Sequence, residues 1–232
     1  MKTLIITGAS KGIGLATATR FCDAGYRIIN FSRTIPPDDR IESYSIDLSD
    51  ENTESNVATL LNTLIKPGEI SLVHNAGRMV NDSARDADTK ILAGMLRLNV
   101  IAPHILNRCL ITKMRPGSSI IYVGSTLSEK AVANTFSYIT SKHALVGMMR
   151  ATCQDLMGTG IHTTCICPGF TDTEMLRAHV GDNQEILNDI AGLSAFGRLI
   201  EPGEIADAIF FAANNPVING AVMHANLGQI ES

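Results

Sequence analysis

The chain has no tryptophan, and aromatic residues make up only 5% of it. No platform for a large flat ligand is therefore expected. It also lacks any run of about eighteen apolar residues, the length a membrane-spanning helix needs. The first apolar run, Leu4-Ile5-Ile6, is too short for a secretory leader. No stretch is rich in lysine or arginine, and Arg108, Lys113 and Arg115 read as a solvated helix end. With a formal net charge of −4, a general nucleic-acid binder is not expected. The five cysteines, at 22, 109, 153, 165 and 167, are odd in number and scattered. They form no disulfide framework and read as reduced core residues. Cys165-x-Cys167 follows His162, but strand alternation turns the histidine away from both thiols, so no metal is expected. Asn81-Asp82-Ser83 matches a glycosylation acceptor, which means nothing without a secretory leader. These absences together point to a soluble cytoplasmic protein that engages neither nucleic acid nor membrane.

What is present fits an α/β protein. Hydrophobic residues are 45% of the 232 and charged ones 18%, a globular balance. Short β-rich runs at 2–7, 26–31, 41–46, 70–73, 119–123, 161–166 and 221–224 predict seven strands. Helical spacing is expected over 13–24, 52–66, 90–114 with a bend near Pro103, 137–157 and 204–213. The segment 33–41, with Pro36-Pro37, cannot hold a full helix. Residues 170–199 read as a mobile region covering the substrate. Strands alternating with helices predict a doubly wound parallel sheet with helices on both faces, in three layers. No linker, repeat or low-complexity block divides it, so residues 1–232 are expected to form a single domain.

In such a sheet, ligands bind at the carboxyl ends of the strands. Gly8, Asp47, Asn75, Ser125 and Pro168 all fall just after predicted strands and should converge there. Gly8, Gly12 and Gly14 occupy a strand-to-helix turn, where the missing Cβ lets the backbone approach a pyrophosphate. The following helix N-terminus favours its negative charge. At the end of the second strand an acidic residue would accept from a ribose 2′-hydroxyl and select NAD. Phe31-Ser32-Arg33 stands there instead. The Arg33 fork suits a 2′-phosphate, and Lys11 adds a second charge, so NADP(H) is expected over NAD(H).

Tyr138 and Lys142 stand four apart, with Ser125 thirteen residues before the tyrosine. In a helix the two share a face. A positive charge beside a phenol favours its ionised form, giving a proton donor or acceptor with a hydroxyl nearby.

With these pieces in place, the chain resembles the short-chain dehydrogenase/reductase family over nearly its whole length. The matching motifs are Thr7-Gly8-Ala9-Ser10-Lys11-Gly12-Ile13-Gly14, Asp47-Leu48, Asn75-Ala76-Gly77, Asn99, Ser125, Tyr138-x-x-x-Lys142 and Pro168-Gly169. The resemblance implies a Rossmann fold, a nicotinamide cofactor and an active site of Asn99, Ser125, Tyr138 and Lys142. It implies that Asp47 and Leu48 meet the adenine, that Asn75 to Gly77 line the cofactor, and that Thr171 and Thr173 hold the carboxamide. Lys11 with Ser32-Arg33 is similar to the pattern of NADPH-preferring carbonyl reductases. Carried over, Ser125 bonds the substrate carbonyl, and Tyr138 gives the proton as hydride arrives. Lys142 favours phenolate and holds the ribose, while Asn99 fixes a water that relays protons. A tyrosine is already protonated at neutral pH, so reduction is the expected direction.

The chain also departs from the family. It lacks the usual helix between the second and third strands, and His74 replaces a more common asparagine, as a packing variant. His224-Ala225-Asn226-Leu227-Gly228 stands where the family often has Val-Asp-Gly-Gly and a subunit contact; a homodimer or homotetramer is expected. The expected substrate is a small-molecule ketone or aldehyde. Lys130 and Arg177 flank the expected mouth and would suit an acidic carrier, so a 3-oxoacyl-thioester reductase is an alternative. A non-catalytic NADP-binding sensor is another, although such proteins usually lose the tyrosine or lysine that this chain keeps.

Overall fold

Seven short apolar runs pair side by side into one sheet. The computed structural model describes residues 1–181 and 183–229. Its strands are β1 (Thr3–Thr7), β2 (Arg27–Ser32), β3 (Ile41–Ser45), β4 (Ile70–His74), β5 (Ser119–Val123), β6 (His162–Pro168) and β7 (Val222–Ala225). All pair in parallel, in the order β3-β2-β1-β4-β5-β6-β7. The helices are α1 (Gly12–Asp23), α2 (Thr53–Leu64), α3 (Thr89–Leu96), α4 (Ala102–Leu110), α5 (Phe136–Asp155), α6 (Glu174–Val180), α7 (Gln184–Gly192) and α8 (Pro202–Asn214). Among the described residues no helix is long and apolar enough to cross a membrane.

Strand alternation sorts the core into two layers. Ile5, Leu72 and Ile120 face α2, α4 and α5, meeting Leu61, Leu106 and Met149. Their neighbours Leu4, Ile6, Val73 and Ile121 face α1 and α8, meeting Phe21, Ile205 and Ile209. Each such side chain contributes roughly 1.5–3 kcal/mol on full burial. The sheet is doubly wound and three-layered, as expected. The chain steps outward from β1 to β3, then returns to β4 beside β1, so the order reverses there and a crevice opens at the strand ends.

Two connections differ from the sequence expectation. The helix expected over 90–114 is broken at a π-turn, Arg97–Ile101, before α4 begins. Pro103 has no N–H to donate to the Asn99 carbonyl. The ladder slips there, and Ala102 N–H donates to Arg97 O, five residues back. Residues 170–199 are not featureless either, for they hold α6 and α7. Thr173 caps α6 by accepting from Leu176 N–H at 3.3 Å, and Asn183 caps α7 by accepting from Glu185 N–H at 2.9 Å. The connection between β2 and β3 carries no helix, as expected.

His74 lies buried at the end of β4. Its Nε2 stands 2.8 Å from Asn107 Oδ1, while Asn107 Nδ2 donates to the Tyr122 hydroxyl at 2.7 Å. That hydroxyl donates to Thr152 at 3.3 Å, and the His74 and Tyr122 rings stack 4.9 Å apart. An amide oxygen only accepts, so the imidazole proton sits on Nε2. The residue ties β4 and β5 to α4 and α5 and faces packed interior, in keeping with a packing role. Burial holds its pKa down to about 4. Between about pH 6.5 and 4 the unfolded chain therefore takes a proton that the folded chain refuses, so stability falls as pH falls. Urea unfolding at pH 7 and pH 5 should show a loss at pH 5 of roughly 2 kcal/mol from this residue. His74→Asn should flatten that part of the pH dependence; an unchanged slope contradicts it.

Candidate active site

The strand ends open into one cleft of about 1030 Å³. Every residue expected in the catalytic or cofactor-binding set lines it except Asn99, which lies just behind the wall, whereas Lys130 and Arg177, expected at the mouth, are not among the lining residues.

At one end the glycine turn leaves β1. Gly8 and Gly12 have φ of 72° and 55°, the left-handed region where a side chain is strained. A Cβ on Gly14 would stand 2.5 Å from Asn75 Nδ2 and collide with Gly8 O. The first turn of α1 has no side-chain cap and no acidic residue. Its N–H groups thus face the cleft as a ready anion cradle. Two residues that sequence reasoning passed over shape this end. Buried Asn30 accepts from Ala9 N–H at 2.9 Å and donates to Ser32 and Ser43 at 2.7 and 2.8 Å, pinning the turn to β2 and β3. A polar residue inside the apolar run Arg27-Ile-Ile-Asn30-Phe was its only sequence signal. Arg78, directly after Gly77, joins Arg33 on the cleft wall. Asp47 accepts from Ser49 N–H and hydroxyl at 2.9 and 2.6 Å. Those bonds, with Arg33 and Arg78 nearby, hold its carboxyl below the usual range.

Asn75 belongs to the scaffold as much as to the wall. Its amide donates to Thr7 O and Gly8 O, each at 3.0 Å. The Thr7 hydroxyl accepts from the N–H groups of Asn75 and Ala76 at 3.1 and 2.9 Å.

In the middle of the cleft stand Ser125, Tyr138 and Lys142. Ser125 leads a tight turn after β5: its Oγ accepts from Leu127 N–H at 3.1 Å and its N–H donates to Ser128 Oγ at 3.0 Å. The Ser125 hydroxyl proton is left for the cleft. Tyr138 and Lys142 share one face of α5, with Nζ 5.6 Å from the centre of the phenol ring. Lys142 is buried and donates to Val123 O at 2.8 Å, the last carbonyl of β5. Asn99 sits in the π-turn, buried, donating to Ser141 Oγ at 2.9 Å. Its Oδ1 has no hydrogen-bond partner. A Cβ on Gly77 would stand 3.5 Å from that oxygen and 3.9 Å from Lys142 Nζ. The missing side chain at Gly77 therefore leaves Asn99 and Lys142 facing the same small space.

Behind Ser125 the two thiols of β6 approach to 3.8 Å, and a Cβ on Gly124 would collide with both. The contact with the Cys165 thiol holds the Cys167 pKa below that of an ordinary thiol. His162 lies on the other face of β6, 2.8 Å from Ala212 O, away from both cysteines.

At the far end α6 and α7 overhang the cleft with Met175, Leu176, His179, Val180 and Ile190. Thr171 is buried, and its hydroxyl donates to Gly169 O at 3.1 Å. Thr173 presses its methyl towards Gly12, 3.2 Å from where a Cβ would be.

A family profile described as Enoyl-(Acyl carrier protein) reductase matches residues 8–229. Ipsdienol dehydrogenase of Ips pini is 30% identical over 238 residues, 94% of this chain and 92% of that one. The chain belongs to the short-chain dehydrogenase/reductase family. Another member, the 3-oxoacyl-[acyl-carrier-protein] reductase FabG of Salmonella typhimurium, is 29% identical over 98% of this chain and 96% of its own. Among solved structures, a short chain dehydrogenase family protein of Francisella tularensis superposes with a TM-score of 0.89 at 25% identity, covering 98% of both chains. A Beutenbergia cavernae structure holding NADP at low occupancy gives 0.87 at 27% identity, over 98% of this chain and 96% of that one. Short-chain dehydrogenase/reductases are oxidoreductases that use NAD(P)(H), and the glycine cradle fits that dinucleotide: uncapped N–H groups face a turn that side chains cannot enter.

Gly14→Ala should disrupt this cradle. The added methyl has no room, so a loss of roughly 1–3 kcal/mol of stability is expected. Thermal melts should show the drop, and fluorescence titration should show weakened dinucleotide binding. Unchanged values for both contradict the packing described.

Proposed function

We propose that the protein reduces the carbonyl of a ketone or aldehyde to an alcohol, reversibly, with NADP(H) as cofactor. The observation that carries this reading is the placing of Ser125, Tyr138 and Lys142 on the wall shared with the glycine turn. When bound, the nicotinamide supplies the hydride. The chain's own residues supply everything else. The glycine turn would hold the pyrophosphate on the first N–H groups of α1, Asp47, Leu48, Ala76 and Gly77 would wall the adenosine, and Pro168, Gly169, Thr171 and Thr173 would border the nicotinamide side. Ser125 donates its hydroxyl proton in a hydrogen bond to the substrate oxygen, which polarises the carbonyl. Tyr138 transfers its phenolic proton to that oxygen as the carbonyl carbon is reduced. Lys142, fixed on Val123 O, offers its remaining N–H groups to the ribose and stabilises the phenolate left on Tyr138. Asn99 Oδ1, beside Lys142, accepts from a water through which the proton is replaced.

Preference for NADP(H) rests on charge at the end of β2. Ser32 and Arg33 stand where an acidic residue would select NAD, and Lys11 lines the same cleft. The NADP-holding neighbour from Beutenbergia cavernae supports the same reading. The substrate side is largely apolar, which suits a small neutral carbonyl compound. Likeness to the 3-oxoacyl-[acyl-carrier-protein] reductase favours a thioester substrate as the second reading. Against it, Arg177 makes two bonds to Asp172, at 2.8 and 2.9 Å, so its charge is already engaged. The five free thiols are in keeping with the reducing cytoplasm, and a homodimer or homotetramer fits family habit.

NADPH oxidation followed across a panel of ketones, aldehydes, diketones and acetoacetyl thioesters tests the activity. Turnover on a member of the panel and its loss in Tyr138→Phe, with NADPH binding retained, are expected. Binding without turnover on any carbonyl would leave a non-catalytic sensor instead. Arg33→Ala should weaken NADPH by roughly 10- to 100-fold, as for a lost charge-assisted bond. NADH should be little affected, and a higher kcat/KM for NADH in the wild type would sink the cofactor assignment.

A further inference from the structure

The tripeptide Asn81-Asp82-Ser83 has a use unrelated to glycosylation. α5 begins at Phe136, so Tyr138 is the third residue of its first turn. That turn receives no side-chain cap from Thr135, the residue before it. The Thr135 hydroxyl donates to Val132 O at 2.8 Å instead. The cap comes from a distant segment. The Asp82 carboxylate accepts from Ser137 N–H at 2.9 Å and also from the Ser137 hydroxyl. Its backbone adds two bonds of 3.1 Å: the N–H donates to Asn134 O, and the carbonyl accepts from Phe136 N–H. A carboxylate at this point satisfies an orphan donor and complements the helix dipole. Asn134, just ahead of the helix, is held at φ 62°, a conformation asparagine tolerates. Asp82, Asn134 and Tyr138 line the same cleft.

We propose that Asp82 is a positioning residue for Tyr138, acting through Ser137 to fix the first turn of α5. The inference rests on the reading of Tyr138 as proton donor. Without the borrowed cap, the first turn frays and the phenol leaves its place on the cleft wall that it shares with Ser125. Lys142 lies one turn deeper and is anchored separately on Val123 O. The effect therefore falls on proton transfer and spares dinucleotide binding.

Steady-state reduction of the best panel substrate and NADPH binding by fluorescence, measured on Asp82→Ala, Asp82→Asn, Ser137→Ala, the Asp82→Ala/Ser137→Ala double variant and Tyr138→Phe, test it. Tyr138→Phe should be inactive. Asp82→Ala should lose on the order of 10- to 100-fold in kcat, the usual effect of a small misplacement. Its NADPH dissociation constant should stay within about twofold of wild type. Asp82→Asn keeps an oxygen that accepts from Ser137 N–H and should recover part of kcat. Ser137→Ala should cost less and add nothing in the Asp82→Ala background, because the two act in one path. Full activity in Asp82→Ala overturns the proposal. So does an equal loss of kcat and NADPH affinity, or simple additivity with Ser137→Ala, which would mark a general loosening. An active Tyr138→Phe removes the proton-donor reading and the Asp82 role with it. An inactive Tyr138→Phe beside an unaffected Asp82→Ala removes the Asp82 role alone. If Asp82→Ala does not fold, Asp82→Asn and Ser137→Ala carry the comparison.

Discussion

Thr7 and Asn75 join the ends of β1 and β4, and the cleft is built outward from that junction. Where the sheet order reverses, neighbouring strands send the chain to opposite faces. Backbone groups at such ends lose their ladder partners and must find others. Here two side chains provide four bonds, with Asn75 reaching Thr7 O and Gly8 O and the Thr7 hydroxyl accepting two N–H groups. The consequence reaches the glycine turn. Because the Asn75 amide bonds Gly8 O, the space over Gly14 is already full, and only a residue without Cβ fits. The shape of the anion cradle on β1 is thus set partly from β4. Asn30 completes the support from the other side by holding Ala9 N–H.

On the opposite side of the cleft the governing constraint is a buried ammonium. Lys142 is 5% exposed, and a polar group so buried must find hydrogen-bond partners. Val123 O supplies one, and the π-turn brings Asn99 near as another polar neighbour across Gly77. Among the described residues two buried side-chain atoms have no hydrogen bond, Asn99 Oδ1 and His74 Nδ1. They carry the same signature and different meanings. Asn99 Oδ1 faces the space shared with a lysine and the cleft, where a hydrogen-bonded ligand or water finds polar company. His74 Nδ1 is buried away from the cleft lining, and the histidine meets that burial by staying neutral. Location relative to the cleft, more than the unpaired atom itself, separates a site from a packing compromise.

The sequence was most legible where chemistry is local. The seven strands, the missing helix after β2 and the glycine turn all follow from short patterns of apolar alternation, proline and glycine. The i,i+4 pair Tyr138 and Lys142 did fall on one face of a helix, as spacing alone required. Less legible were features that depend on distant partners. Nothing in the run Arg27-Ile-Ile-Asn30-Phe says that Asn30 will meet Ala9. Pro103 announced a bend, but the slip to a π-turn and the exposure of Asn99 to Lys142 depend on how α4 and α5 pack. In 170–199 the caps Thr173 and Asn183 were visible as residues, yet mixed polarity hid the two short helices they begin. Asp82 is the extreme case: its partner lies 55 residues away, and its own tripeptide pointed to a different chemistry.

The two ends of the cleft are physically joined, and α6 is the joint. Thr173 caps α6 with its hydroxyl and packs its methyl over Gly12. One residue therefore touches the glycine turn and sets the start of α6, whose Met175, Leu176 and His179 line the same cleft. The Arg177–Asp172 pair braces the same helix against the strap that leads into it. A short capped helix thus has its first residue against the glycine turn and its apolar side chains on the cleft wall, so one element borders both ends of the cleft.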